Sequence, residues 1–581
     1  MTKMMNSNEI KTLQNQGCSA TDWTKIDIAA GSDLSLIRDV DFRGHVKIGR
    51  VAATANPFCG IRNALIIDCE IGDYPAIRNI GTLLQGTRIG SNVTIVNTGR
   101  VTTEEEASCG IGIPVAVLDE TGSRPVYIYP GLSAQTAALM TMHPRWAEEE
   151  LLPMLQDRRD NRPWKLDIED GARIFDTKLI INVHIGKEVT IEGASSLVNG
   201  CVLNNAPTGS CLTYVGSDVD AEGFIIEDGK VASGTLLRNV YVGQGTTLEK
   251  GFTAHDSIFF ANCTMENGEA CALFAGPYTV SMHKSSLLIA MRTSFMNAGS
   301  GTNFSNHMYK LGPVHWGLLE RGAKTASNAY VMWGGRIGAY SLVMGNHKGH
   351  PNTSTLPFSY LFGNEKGETV VAPGQMIKSC GLLRDAQKWP VRDRRMKRRL
   401  PLHDNITFDV LNPNTVSLLM QGLKTLEEFE ELTPDSDGLV RTQGFAIRPS
   451  AIQSGKHLYM IAILRYLYEQ SHEPGFAEVE EDPGMPHFTE WVDLGGQVIP
   501  KFYLNRAMEG GSLEEIEKVL EEARANYASM QQRWVRSLVE NGWKSLLPEG
   551  PRAIVEIDTL IDEDRKAYKA TLAARTASIN I

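Results

Sequence analysis

Aliphatic residues recur at every sixth position between 65 and 95: Leu65, Ile71, Ile77, Leu83, Ile89 and Ile95. The text around them, "IGDYPAIRNIGTLLQGTRIGSNVTI", is rich in Gly, Asn, Asp and Thr. The period returns at Ile185, Ile191, Leu197 and Leu203, at Ile225, Val231 and Leu237, and at Val331, Ile337 and Val343. Positions six apart on an α-helix are rotated by ~240° and share no face. A flat strand would bury every second residue, not every sixth. A coil of short strands with a corner every six residues accounts for the spacing. Each corner would turn on small or polar residues that tolerate unusual backbone angles. Each aliphatic would point inward and stack on its equivalent in the next coil, ~4.8 Å away. One coil alone could not bury its apolar face, so the coils must stack.

The pattern also divides the chain. Residues 1–34 form an N-terminal segment and 35–100 a first block of coils. An excursion follows at 101–170: "IPVAVLDETGSRPVYIY" predicts a β-hairpin turning around Glu120 to Ser123, and "SAQTAALMTMHPRWAEEELLPMLQDRR" predicts one or two helices interrupted at Pro144. Coils resume over 171–400 with phase shifts, which imply insertions at corners, where loops often carry function. Residues 401–581 read as a helical C-terminal domain; Ser512 with Glu515 three residues later marks one helix start. This domain either caps the end of the coils against edge-to-edge pairing or builds an oligomer interface.

The segments "IGDYPAIRNIGTLLQGTRIGSNVTI" and "HIGKEVTIEGASSLV" resemble the hexapeptide repeats of left-handed parallel β-helix proteins, over roughly residues 35–100 and 171–375. The resemblance implies a mainly β chain: a left-handed parallel β-helix carrying a mixed α/β excursion and a helical C-terminal domain. Many members of that superfamily are acyltransferases acting on sugars, sugar nucleotides or amino acids. In them a histidine deprotonates an amine or hydroxyl, which attacks a thioester such as acetyl-CoA. The resemblance therefore implies an acyl-CoA co-substrate, no bound cofactor, and a homo-oligomer with a trimer favoured. The segments "SNHMYKLGPVHWG", "SLVMGNHKGH" and "RDAQKWPVRDRR" further resemble an uncharacterised family of large β-helix proteins from Bacteroides and relatives.

Composition narrows the picture. The net charge of −11 over 581 residues argues against broad nucleic-acid binding. The N-terminus lacks the apolar core of a signal peptide, and no run approaches the ~18 apolar residues of a membrane helix. The nine cysteines are scattered without a C-x-x-C, which speaks against structural zinc and for reduced thiols in the cytoplasm. No metal is expected, no nucleic acid and no membrane.

Six of the thirteen histidines fall between 255 and 350: His255, His283, His307, His315, His347 and His350. Histidine titrates near neutrality and suits proton transfer. His283, His307, His315 and His347 are the candidate bases. "GFTAHDSIFFANC" resembles the "AHD" neighbourhood of lipid A-type acyltransferases around His255, although "FFANC" departs from that pattern. Glu269 and Glu320 would orient a histidine or serve as acids. Lys284, Lys310, Arg321, Lys324 and Lys348 stand beside the histidines and suit an anionic substrate such as a sugar-phosphate. The stretch Arg384 to Arg399 carries eight basic and two acidic residues. Arg392, Arg394 and Arg395 there would extend a phosphate-binding strip, or else pair with the acidic remainder of the chain. The expected function is acyl transfer to a sugar, sugar-phosphate or sugar nucleotide. The alternatives are a non-catalytic protein that binds an anionic sugar or nucleotide, or a different β-helix enzyme.

Overall fold

A computed structural model describes residues 2–104, 107–161, 166–305, 316–332, 334–442, 444–474, 476, 490–543 and 552–579. The chain is mainly β up to residue 372. Its short strands join one large, mostly parallel sheet, and many strands pair with a strand about seventeen residues further on. The pairing aligns buried side chains into files. One file runs Ile61, Ile77, Ile95, Ile174, Ile191, Val215, Val231, Leu248 and Met265. A second runs Ile48, Ile71, Ile89, Ile168, Ile185, Val202, Ile226, Val242 and Phe259. Both files step from residue 95 or 89 to residue 174 or 168, so the excursion leaves the sheet and returns to it in register.

A third file runs Ile66, Leu84, Val101, Ile180, Leu197, Ala221, Leu237, Ala254, Ala270, Leu288, Phe304, Val331 and His347. Here the strict six-residue spacing fails. Leu65, Leu83 and Leu203 are only partly buried, and their neighbours Ile66, Leu84 and Val202 are fully buried instead. A one-residue slip at a corner exchanges the inward and outward sets of a strand. The corners themselves use residues that tolerate the left-handed region. Asn63, Asn79, Asn97 and Asp176 all have φ between 50° and 56°. Their side chains form a hydrogen-bonded ladder, Asn63 to Asn79, Asn79 to Asn97 and Asn97 to Asp176, at 2.9–3.3 Å.

In the excursion, Pro114–Val115 pairs antiparallel with Val126–Tyr127, and the helix Ala134–Met142 follows with almost every residue buried. That helix is covered by the second half of the chain. The Ala134 N–H donates to Asp404 Oδ1 at 2.7 Å, and Gln135 Nε2 donates to the carbonyls of Asn405, Leu494 and Gly495. At the far end, the parallel strand Tyr360–Gly363 meets Thr369–Ala372 in antiparallel fashion, and Ala446–Ile447 pairs beyond it. The helices Pro413–Glu430 and Pro449–Ser471 pack over this end, and Tyr459 Oη donates to the Pro357 carbonyl at 2.7 Å. Among the described residues no helix is long and apolar enough to cross a membrane.

Candidate functional site

The site grows from three neighbouring parallel strands, Met291–Thr293, Gly317–Leu319 and Arg336–Ile337. Their register sets Arg292 beside Leu318 and Leu318 beside Arg336. Immediately after the middle strand come Glu320 and Arg321. Above them lies a hairpin, Trp491–Leu494 paired with Gln497–Pro500. Its turn is Gly495-Gly496, with φ of 58° and 98°. Two consecutive residues at positive φ are what a tight two-residue hairpin demands. A Cβ on Gly495 would lie 2.5 Å from the Ala134 carbonyl oxygen, so the turn can seat on the buried helix only as glycine. The first turn of helix Pro413–Glu430 adds Asn414 and then Leu418.

Together these elements enclose a cavity of about 230 Å³. Arg321 is 3% exposed and closes its floor. Its Nε donates to Tyr340 Oη at 3.0 Å, and its Nη1 donates to Asp493 Oδ2 at 3.2 Å and to the Gly496 carbonyl at 3.1 Å. Its guanidinium lies 4.3 Å from the centroid of the Phe295 ring, a favourable cation–π placement. Its Nη2 is buried and has no partner among the described residues. Asp493 Oδ1 accepts from the Gly496 N–H at 2.7 Å, which ties the hairpin turn to the arginine.

Glu320 and Arg292 line the same cavity, and neither makes a hydrogen bond or ion pair with another described side chain. Burial pushes the Glu320 carboxyl up to about 7; Asp493 adds to the rise, while Arg292 and Arg336 oppose it. Burial also draws the Arg292 guanidinium below its ordinary range, against the pull of Glu320 and Asp493. Trp316 stands next to the middle strand. Arg124 and Arg336 both lie over its ring, at 5.7 and 5.8 Å from the centroid. Arg292 and Arg321 thus share the cavity with two carboxylates, and the charge of Arg336 also reaches Glu320. A carboxyl that exchanges a proton near neutrality, set among guanidiniums with spare donors, can bind an anion and move a proton on it.

Two residues expected from the sequence, Glu320 and Arg321, meet in this cavity. The others that the structure describes lie elsewhere. His307, Lys310 and His315 fall outside the described residues. His283, Lys284 and Glu269 are exposed, away from the cavity lining. His347 is fully buried as the last member of the third file. Its Nδ1 meets Thr369 Oγ1 at 2.8 Å and its Nε2 meets the Met344 carbonyl at 3.1 Å. Burial pulls its pKa down to about 4, so it is a neutral interior residue at pH 7. Lys348 is exposed. Lys324 pairs with Asp385.

In the basic strip, Arg392 is exposed, but Arg394 and Arg395 are bound into the protein. Arg394 donates to the Gly245 carbonyl and to Thr247 Oγ1. Arg395 is 2% exposed, forks onto both oxygens of Asp393 at 3.0 and 2.8 Å, and donates to the Asp404 carbonyl. These two arginines dock the strip on the sheet and have no face to offer a ligand.

Sequence reasoning missed Arg292, Arg336, Arg124, Trp316, Asn414 and Asp493. One signal was present: "WVDLGGQVIP" places two glycines between alternating residues, the mark of a tight hairpin. A second titratable group, Glu227, Asp228 and His403, brings ligand-type atoms within 4.8 Å of one another. Its carboxylate oxygens already accept from the Gly131 N–H, Asn205, Tyr241 Oη and Gln244. It serves as a clamp that holds the linker after the basic strip.

An "Uncharacterized protein" of Treponema pallidum (strain Nichols) is 24% identical over 452 residues, which is 73% of this chain and 61% of the relative. The chain therefore spans about 61% of the length of that curated relative. A family match covers residues 2–430, which includes Arg292, Glu320, Arg321, Arg336 and Asn414 but not the Asp493 hairpin. On that match the chain belongs to the family described as Domain of unknown function (DUF4954).

Proposed function

We propose that this chain is a small-molecule enzyme whose sheet winds as a left-handed parallel β-helix, and that its site is the Glu320 cavity. The substrate is a small anion of the sugar-phosphate or carboxylate class, and Glu320 is the general base. The six-residue spacing and the three stacked files support the winding. The observation that carries the chemistry is Glu320 itself: a carboxyl without a described partner, pushed up to about 7, beside the spare donors of Arg321 and Arg292. A base performs best when its pKa lies near the working pH.

Acyl transfer remains the first reaction to test, with an acyl-CoA as donor. In that reaction Glu320 takes the proton from an acceptor hydroxyl as its oxygen attacks the thioester carbonyl. The carbon–sulfur bond then breaks and CoA leaves as the thiolate. A cavity of about 230 Å³ holds an acceptor of a few carbons and not the nucleotide of CoA, which would lie outside. The base is assigned to Glu320, the lining carboxyl whose proton is held to about 7; the described lining residues include no histidine.

The test is free-thiol release from acetyl-CoA by the full chain with a panel of sugar-phosphates, together with thermal stabilisation by the same panel. The expected result is turnover that falls about a hundredfold or more in Glu320→Gln. Stabilisation without turnover would favour the anion-binding alternative. An unchanged rate in Glu320→Gln would remove Glu320 from the chemistry.

A further inference from the structure

Positive charge stands in two places, on the cavity floor and beside the cavity lining. The inner place is the floor, where Arg321 Nη2 lacks a partner and Arg292 points to no described acid within ion-pair distance. The outer place is the pair Arg124 and Arg336 over Trp316. The register separates them. Arg292 and Arg336 flank Leu318 on successive parallel strands, so their backbones stand two strand spacings, about 10 Å, apart. Arg336 is exposed, and its charge is felt at Glu320 and at Arg292. Asp493 is engaged by Arg321 and by the Gly496 N–H, so it does not neutralise the outer pair. Asn414, on the first turn of an eighteen-residue helix, brings that helix's positive end to the same wall.

A molecule with one acidic group would satisfy only the floor and would leave the outer arginines solvated. We propose that the ligand carries two acidic groups joined by a short carbon framework. One group is held on the floor by Arg292 and Arg321, the other beside the cavity by Arg336 with Arg124 next to it, and the framework lies against Glu320. This rests on the reading of the cavity as an anion site and adds the second acid to it. A second acid accounts for two cations gathered at one indole ring, 5.7 and 5.8 Å from its centroid. Arg124 Nη1 already donates to the Thr141 carbonyl at 3.0 Å, so the forked, paired donors offered to the second acid come chiefly from Arg336.

Two matched probe pairs separate the possibilities by isothermal titration calorimetry on the full chain: succinate against butyrate, and 3-phosphoglycerate against glycerol 3-phosphate. The expected result is that at least one two-acid probe binds about tenfold or more tightly than its one-acid partner. Arg336→Met removes that preference at an unchanged melting temperature. Arg336→Lys, which keeps the charge, retains most of it. If one-acid probes bind as tightly as two-acid probes, and Arg292→Met weakens both, the anion site stands and the second acid is overturned. If no probe binds, both readings fail. A preference that survives in Arg336→Met would overturn the assignment of the outer group.

Discussion

Glu320 states its own pH dependence. An ordinary glutamate loses its proton near 4.5, and in the fold this carboxyl is held up to about 7. Between those values the folded chain keeps a proton that the unfolded chain has lost. Stability therefore falls as the pH rises through this window, and the deficit is complete above it. Glu320→Gln removes the dependence. Thermal melting should show the variant more stable than wild type by roughly 1–3 kcal/mol at pH 8 and equal to it near pH 4. An equal gap at both pH values would mean the carboxyl is not held neutral. Glu320 and Arg321 were legible because they are charged residues beside a segment with no regular period. Arg292 and Arg336 were not, because each looks like an ordinary outward residue of a short strand. Only the register that sets both beside Leu318 makes them neighbours, and coils of uneven length hide that register in the sequence. Asp493 comes from far along the chain and reaches Arg321 only through the fold. Of the histidines singled out by composition, His283 is exposed and His347 is buried away from the cavity, because composition records how many titratable groups a stretch holds, not which way they point.

Single strands show how far the periodicity carries. The mainly β character and the stacking of buried aliphatics follow from it, and Ile71, Ile77, Ile89 and Ile95 are buried as their spacing requires. The third file slips by one residue at its corners, which no fixed period can anticipate. His347 closes that file at a position where other strands place Val331 or Phe304. It is accommodated because Thr369 Oγ1 and the Met344 carbonyl satisfy both ring nitrogens. Its pKa is depressed from about 6.5 to about 4. The stability it contributes is full above 6.5 and is lost as the pH falls through 4, because the folded state must accept a charge in its interior. Hydrogen exchange should therefore show the protection of Tyr360–Gly363 and Thr369–Ala372 falling between pH 6.5 and 4 after correction for intrinsic rates. His347→Gln, which keeps both hydrogen-bonding partners, should flatten that fall. An identical fall in the variant would place the acid sensitivity elsewhere.

At the scale of the whole molecule, the cavity exists because three distant parts of the chain meet. The sheet supplies Arg292, Glu320 and Arg321. The excursion helix Ala134–Met142 supplies the bed on which the Gly495-Gly496 turn rests. The C-terminal part supplies the roof, Asn414 and Asp493. Asp404 and the Arg395–Asp393 pair hold the linker between the sheet and that roof: Asp404 Oδ2 accepts from the Ala261 N–H at 2.9 Å, and Arg395 donates to the Asp404 carbonyl at 2.9 Å. The basic strip thus acts in assembly, and the Glu320 cavity lies one layer deeper, behind Phe295, whose ring touches both Trp389 of the strip and the Arg321 guanidinium. The central claim is that an anion and the Glu320 proton share this enclosure. An acid placed beside Glu320 should raise its pKa further, so binding at pH 7 should draw a proton from solution. The direct measurement is calorimetry of succinate binding at pH 7 in buffers of different ionisation enthalpy. The account predicts net uptake of a fraction of a proton, about one half, by the wild type and none by Glu320→Gln; binding without proton uptake, or equal uptake by both proteins, would contradict it.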